Sequence, residues 1–133
     1  MWEQINILLV DDDPAEELIL GSLMSKVKNY RIKMHYCGDI DSATSFLKDN
    51  SNIFMVLLDN RLGPGEDFRA TAPKLRQAGF IGPIGVISSS LTDPYFQKIE
   101  DYGADFRLDK AEFDPTAVEF IIREYRGQTE PSE

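Results

Sequence analysis

Apolar residues recur along the chain in two rhythms: short, nearly continuous runs, and longer stretches spaced three and four apart. Ile5 to Val10 (INILLV) is the first run. Its lack of alternation fits a parallel strand covered on both faces. Asp13-Pro14 then reads as a helix start, with Asp13 as N-cap and Pro14 at the first helical position. Leu20, Leu23, Met24 and Val27 follow at helical spacing. Arg31 to Cys37 alternates charged and apolar residues, which suits an edge strand. Ile40, Ala43, Phe46 and Leu47 mark a second helix, and Phe54 to Leu58 (FMVLL) a buried strand that ends in Asp59. Gly63-Pro64-Gly65 is loop chemistry. A third helix is expected from Asp67 to Gln77, with Phe68, Ala72 and Leu75 on one face and Pro73 delaying or kinking it. Ile84 to Ile87 reads as a strand running into Ser88-Ser89-Ser90. Tyr95, Ile99 and Tyr102 predict a fourth helix closed by Gly103, and Phe106 to Leu108 a fifth strand ending near Lys110. Val118, Ile121, Ile122 and Tyr125 form the stripe of the last helix.

This (βα)5 alternation places the chain in the α/β class, as a parallel sheet with helices on both faces joined by right-handed crossovers. At 133 residues there is room for one domain, expected over residues 1–126, with residues 127–133 (GQTEPSE) as a disordered polar tail. Hydrophobic residues make up 42%, enough for a core without disulfides. The single cysteine, Cys37, cannot form an internal bridge, which favours a reducing, cytoplasmic setting. Met1 to Gln4 does not resemble a signal peptide, and no apolar run approaches the roughly 20 residues of a membrane helix. A net charge of −9 argues against direct nucleic-acid binding and suits cations or basic partner surfaces.

The chemistry gathers where the apolar strands end. Asp11, Asp12 and Asp13 follow the first, Asp59 the third, Ser88 the fourth and Lys110 the fifth. In open α/β sheets ligands bind beyond these carboxyl ends. If the first and third strands are neighbours, Asp11, Asp12 and Asp59 converge, and their mutual repulsion calls for a cation. Oxygen-only ligands suit Mg2+ or Mn2+. A lysine and a serine hydroxyl beside them would hold a small anion's oxygens while a carboxylate oxygen attacks phosphorus.

From about Gln4 to Tyr125 the chain resembles the receiver domain of two-component response regulators. The resemblance is carried by LLVDD at Asp11 and Asp12, MVLLDNRLGPG at Asp59, PIGVISS at Ser88, and GADFRLDK with Gly103, Ala104 and Lys110. It implies a flavodoxin-like fold with strand order 2-1-3-4-5. It also implies phosphorylation on Asp59, with Ser88 and Lys110 assisting. The metal would be bound by Asp12 directly, by Asp11 mostly through water, by Asp59, and by the backbone carbonyl of Arg61. The partners implied are a histidine kinase or histidine phosphotransfer protein and a downstream protein, met as a stand-alone monomer or a phosphorylation-dependent dimer. Three positions depart from the family. Ala111 replaces the usual proline after the lysine, so a trans bond and a reshaped loop are expected. Arg107 stands at the switch aromatic, with Phe106 one position earlier, and Arg61 sets a long cation beside the acceptor.

Plainer readings stand beside these. Asp13 is an N-cap, Ser88 to Ser90 could cap a helix near Thr92, and Lys110 could pair with Asp109 or Glu112. His35 reads as a solvated edge residue and Cys37 as a small strand residue. Tyr95, Phe96 and Tyr102 divide between core and a partner surface. Two other function classes compete: a pseudo-receiver acting as a constitutive interaction module, and a haloacid-dehalogenase-like phosphatase using the D-x-D of Asp11 and Asp13. The phosphatase reading lacks a cap and an acidic pair after strand four, and leaves Asp59 unexplained. A flavodoxin-like FMN carrier is excluded by three aspartates where a phosphate would sit.

Overall fold

The computed structural model describes residues 3–129. Five strands, β1 (Glu3–Val10), β2 (Tyr30–Cys37), β3 (Met55–Asp59), β4 (Ile84–Ser88) and β5 (Phe106–Asp109), form one sheet in the order β2-β1-β3-β4-β5. Every pairing is parallel. The run INILLV lies inside the sheet, between β2 and β3, because both of its faces need cover. Its odd residues Ile7 and Leu9 point to one side and Leu8 and Val10 to the other, following the two-residue period of a strand. Helices α1 (Pro14–Met24) and α4 (Pro115–Thr129) cover the first side through Leu20, Met24, Val118 and Ile122. Helices α2 (Ile40–Asp49) and α3 (Phe68–Gln77) cover the second through Ala43, Leu47, Phe68, Ala72 and Leu75.

Side-chain caps start the helices, at Asp13 as the sequence predicts and at three further aspartates. Asp13, Asp39 and Asp67 accept from the amides of Ala15, Ser42 and Arg69, and Asp114 accepts from Ala117 ahead of α4. Pro14 occupies the first turn of α1, where its missing N–H costs nothing.

Four expectations need correcting. Helix α3 runs through Pro73 unbroken, because the buried stripe of Phe68, Ala72 and Leu75 outweighs one lost backbone bond. The third strand starts at Met55 and includes Asp59, one residue later than FMVLL suggests. Helix α4 continues to Thr129, past the expected tail start at Gly127, and residues 130–133 lie outside the described residues.

The fourth correction concerns Pro94–Tyr102, which is a 3₁₀ segment kinked at Lys98 (φ −129°, ψ 46°) and not an α-helix. Phe96, Ile99 and Tyr102 recur every three residues, the period of a 3₁₀ helix, and Phe96 and Ile99 are buried. The Arg107 guanidinium donates to the Phe96 carbonyl, taking up an acceptor that a continuous α-helix would use internally. Gly103 closes the segment in the left-handed conformation (φ 92°), as expected.

Candidate functional site

Asp11 stands one residue beyond β1, at the crevice edge. Its amide donates to the Cys37 carbonyl (3.1 Å), extending the ladder with β2, and its own carbonyl accepts from the Tyr36 hydroxyl (2.6 Å). Its carboxylate is 1% exposed. Oδ1 accepts from the Asp13 amide (2.9 Å), whereas Oδ2 is buried with no hydrogen-bond partner among the described residues. Asp59, at the end of neighbouring β3, and exposed Asp12 each bring a carboxylate oxygen to the same place. The three oxygens lie within 4.8 Å of one another.

Lys110 reaches in from the end of β5. Its Nζ lies 3.2 Å from Asp59 Oδ1 and 3.6 Å from both Asp11 Oδ2 and Glu16 Oε1. The pairing with Asp109 or Glu112 is not what forms: Asp109 accepts from the Ala111 amide (2.8 Å) to start a short 3₁₀ turn, Lys110–Glu112. The Lys110–Ala111 bond is trans, as expected.

Crowding sets the electrostatics. Burial pushes the Asp59 carboxyl up to about 6, the neighbouring Asp11 charge adds to the rise, and Lys110 opposes it. Burial also raises Asp11, against the Asp13 amide and Lys110. For Lys110, burial disfavours the ammonium, but Asp59 and Asp11 outweigh it and its pKa rises. An acidic trio with one lysine and an orphaned buried oxygen is under-neutralised. The donor set is all oxygen, which fits Mg2+ or Mn2+.

Beside Asp59 opens a cleft of about 280 Å³ lined by Asn60, Arg61, Ser88, Ser89, Ser90, Asp93 and Lys110. Ser88 lines this cleft, but its hydroxyl is engaged in its own turn, donating to the Ser90 carbonyl (2.8 Å) and accepting the Ser90 amide (3.2 Å). It does not cap the next segment, whose cap position is Asp93. Arg61 is exposed at the cleft mouth. Asp13 is occupied as the α1 cap, so the D-x-D pair of a phosphatase does not form. His35 is half-buried rather than solvated. It packs on Phe46 and bonds Asn6 (3.1 Å), away from this site.

Three residues here escape a sequence reading. Glu16 looks like an ordinary acid of a helix's first turn. Tyr36 matters only because the β1–β2 register places it opposite Leu9, two residues short of Asp11. Asn60 is 5% exposed and joins the loop after Asp59 to two elements, accepting from the Phe68 amide (3.3 Å) and donating to the Tyr95 hydroxyl (3.3 Å). Tyr95 in turn donates to Asp93 (3.1 Å) and lies under the Arg69 guanidinium. Removing the Tyr36 hydroxyl tests its share of the site. Tyr36→Phe is expected to cost about 1 kcal/mol in a urea melt and to weaken divalent-cation affinity a few-fold by calorimetry, since it frees the Asp11 backbone.

No family model matches the chain, and no curated protein matches it in sequence. Solved structures do match in fold. The receiver domain of a NarL response regulator from Mycobacterium tuberculosis superposes with a TM-score of 0.73 at 19% identity, covering 96% of this chain and 99% of that one. A LuxR-family response regulator from Aurantimonas gives 0.76 at 21%, covering 94% and 87%. A Francisella response-regulator receiver domain gives 0.74 at 18%, covering 95% and 99%. The chain has the fold of response-regulator receiver domains over nearly its whole length, with the strand order expected from the resemblance.

Proposed function

We propose that this receiver domain is a phospho-acceptor switch of a two-component phosphorelay, phosphorylated on Asp59 by a histidine kinase or histidine phosphotransfer protein in the cytoplasm. The observation that carries the reading is the convergence of Asp11, Asp12, Asp59 and Lys110 around an orphaned carboxylate oxygen. No described helix is long and apolar enough to cross a membrane.

An Asp59 oxygen forms the new P–O bond as the P–N bond to the donor histidine breaks, and the leaving imidazole takes a proton. Burial costs Asp59 solvation, so a carboxylate that has shed its proton there is a poorly solvated nucleophile. Lys110, now on Asp59, is placed to move onto a phosphoryl oxygen. Ser88 can donate to another by giving up its bond to Ser90. Asp11, Asp12, Asp59 and the Arg61 carbonyl would hold Mg2+ or Mn2+, which supplies positive charge against the phosphoryl oxygens when bound. The output is a change in which protein surfaces are favoured, not turnover of a substrate. The downstream partner, and dimerisation on phosphorylation, belong to the same proposal.

A second reading, the phosphorylation-independent pseudo-receiver, draws on Arg107 and Ala111. Intact mass after incubation with Mg2+ and acetyl phosphate decides between them. One added phosphoryl group is expected, dependent on metal and absent in Asp59→Ala. If neither phosphate nor the mimic beryllium fluoride is taken up, the acceptor reading is wrong and the chain is an interaction module.

A further inference from the structure

Lys110 reaches the acidic trio from a loop that gives its ammonium no anchor. The short turn it begins is held by Asp109 on the Ala111 amide, a contact to the backbone and not to the lysine side chain. Among the described residues, the ammonium is paired with Asp11, Asp59 and Glu16. The first two are the groups that a cation and a phosphoryl group would claim. Glu16 is different. It sits in the first turn of α1, with its side chain 20% exposed and its Oε1 3.6 Å from Nζ.

We propose that Glu16 is a positioning residue for phosphoryl transfer, holding the Lys110 ammonium at the acceptor from a site that takes no part in the reaction. The inference rests on the reading of Asp59 as acceptor and Lys110 as its electrostatic partner. When Asp11 and Asp59 are neutralised, their pull on Lys110 falls, whereas that of Glu16 stays. The length of the contact matters as well. At 3.6 Å, Glu16 is farther from Nζ than Asp59 at 3.2 Å, so it tethers the ammonium without capturing it. Neighbouring Glu17 serves as a contrast: it shares the acidic first turn of α1 but has no ion pair to Lys110. A plain favourable interaction with the helix N-terminus would make the two glutamates equivalent.

Glu16 also adds negative charge near Asp11 and raises its pKa, so a variant could act on the trio directly. A double-mutant cycle separates the routes. Phosphoryl uptake from acetyl phosphate at saturating Mg2+ would be timed in the wild type, Glu16→Gln, Lys110→Ala and the double variant, with Glu17→Gln as control. Glu16→Gln is expected to slow uptake by about three- to tenfold, and to add almost nothing once Lys110 is gone. A second readout needs no phosphoryl transfer: the NMR order parameter of the Lys110 Cε methylene should drop in metal-free Glu16→Gln and hold in Glu17→Gln. Equal slowing with and without Lys110, an unchanged rate, or an unchanged Lys110 order parameter would overturn the assignment. If the wild type takes up no phosphoryl group, the acceptor reading fails on its own account. The order parameter then still decides whether Glu16 holds Lys110.

Discussion

Metal-free Asp59→Asn is expected to be more stable than the wild type by about 2–3 kcal/mol at pH 7, a gain on the order of 10 °C in melting temperature for a chain of this size. The Asp59 carboxyl is raised to about 6 by burial and by the charge of Asp11, against an ordinary value of 3.8. Below about pH 3 it is protonated in folded and unfolded chains alike. Between about 4 and 6 the unfolded chain has lost its proton while the folded chain keeps it, so the folded state binds more protons. Stability therefore falls as pH rises through that window, and stays low above it. Asparagine keeps the shape and removes the charge. The gap between the two proteins should thus be near zero at about pH 3, still small at pH 4, open through pH 6 and then level off. Urea melts at closely spaced pH values give the curve. Saturating Mg2+ should narrow the gap at pH 7 by stabilising the wild type, because binding to the native state shifts the equilibrium. A gap of the same size at pH 4 and pH 7 would mean that the burial of this charge is not what the substitution relieves.

The acidic trio was legible in the sequence because its position depends on two robust signals. INILLV and FMVLL are too apolar to lie anywhere but inside a sheet, and the residues that end them must then emerge at its carboxyl edge. Lys110 was placed by the same logic, with help from GADFRLDK. What could not be read depends on register or on competition between local and tertiary forces. Tyr36 reaches Asp11 only through the alignment of β2 on β1, and Glu16 meets Lys110 only because α1 and the β5 loop fold to the same end of the sheet. The spacing of Tyr95, Ile99 and Tyr102 predicts a helix but not its type. Fully buried Phe96 shifts the register to Phe96, Ile99 and Tyr102.

That 3₁₀ segment also reaches the loop that carries Asp59. It is tied through two adjacent residues of its first turn. Tyr95 holds Asn60, the residue after Asp59, and the Phe96 carbonyl holds Arg107, where the resemblance to receiver domains implies a switch aromatic. Phe106 does not take over that place. It faces the other side of the sheet, over Gly85, where an added Cβ would come within 2.1 Å of its ring, and packs on Tyr125. The loop after Asp59 and the segment thus meet through Tyr95, and no ring on β5 lies between them.

Phe68→Ala is expected to cost about 3–5 kcal/mol, enough to lower the melting temperature by 10–20 °C or so. Phe68 is fully buried, and three rings converge on it: Phe96 stacked at 5.6 Å, Tyr95 edge-on at 5.6 Å and Tyr102 edge-on at 5.7 Å. Truncation removes the common partner of all three and leaves a cavity that α3 cannot close, since Ala72 and Leu75 already fix its distance from the sheet. Phe68→Leu keeps most of the volume and should cost well under half as much. The loss should also be uneven. The three rings belong to the 3₁₀ segment, so amides from Pro94–Tyr102 should exchange faster in Phe68→Ala at 25 °C than those of β1, whose neighbours are untouched. Uniformly faster exchange would show that Phe68 supports the whole core equally. Faster exchange confined to the segment would show that one aromatic cluster, next to the Asn60 contact, sets how firmly that segment is held against the loop after Asp59.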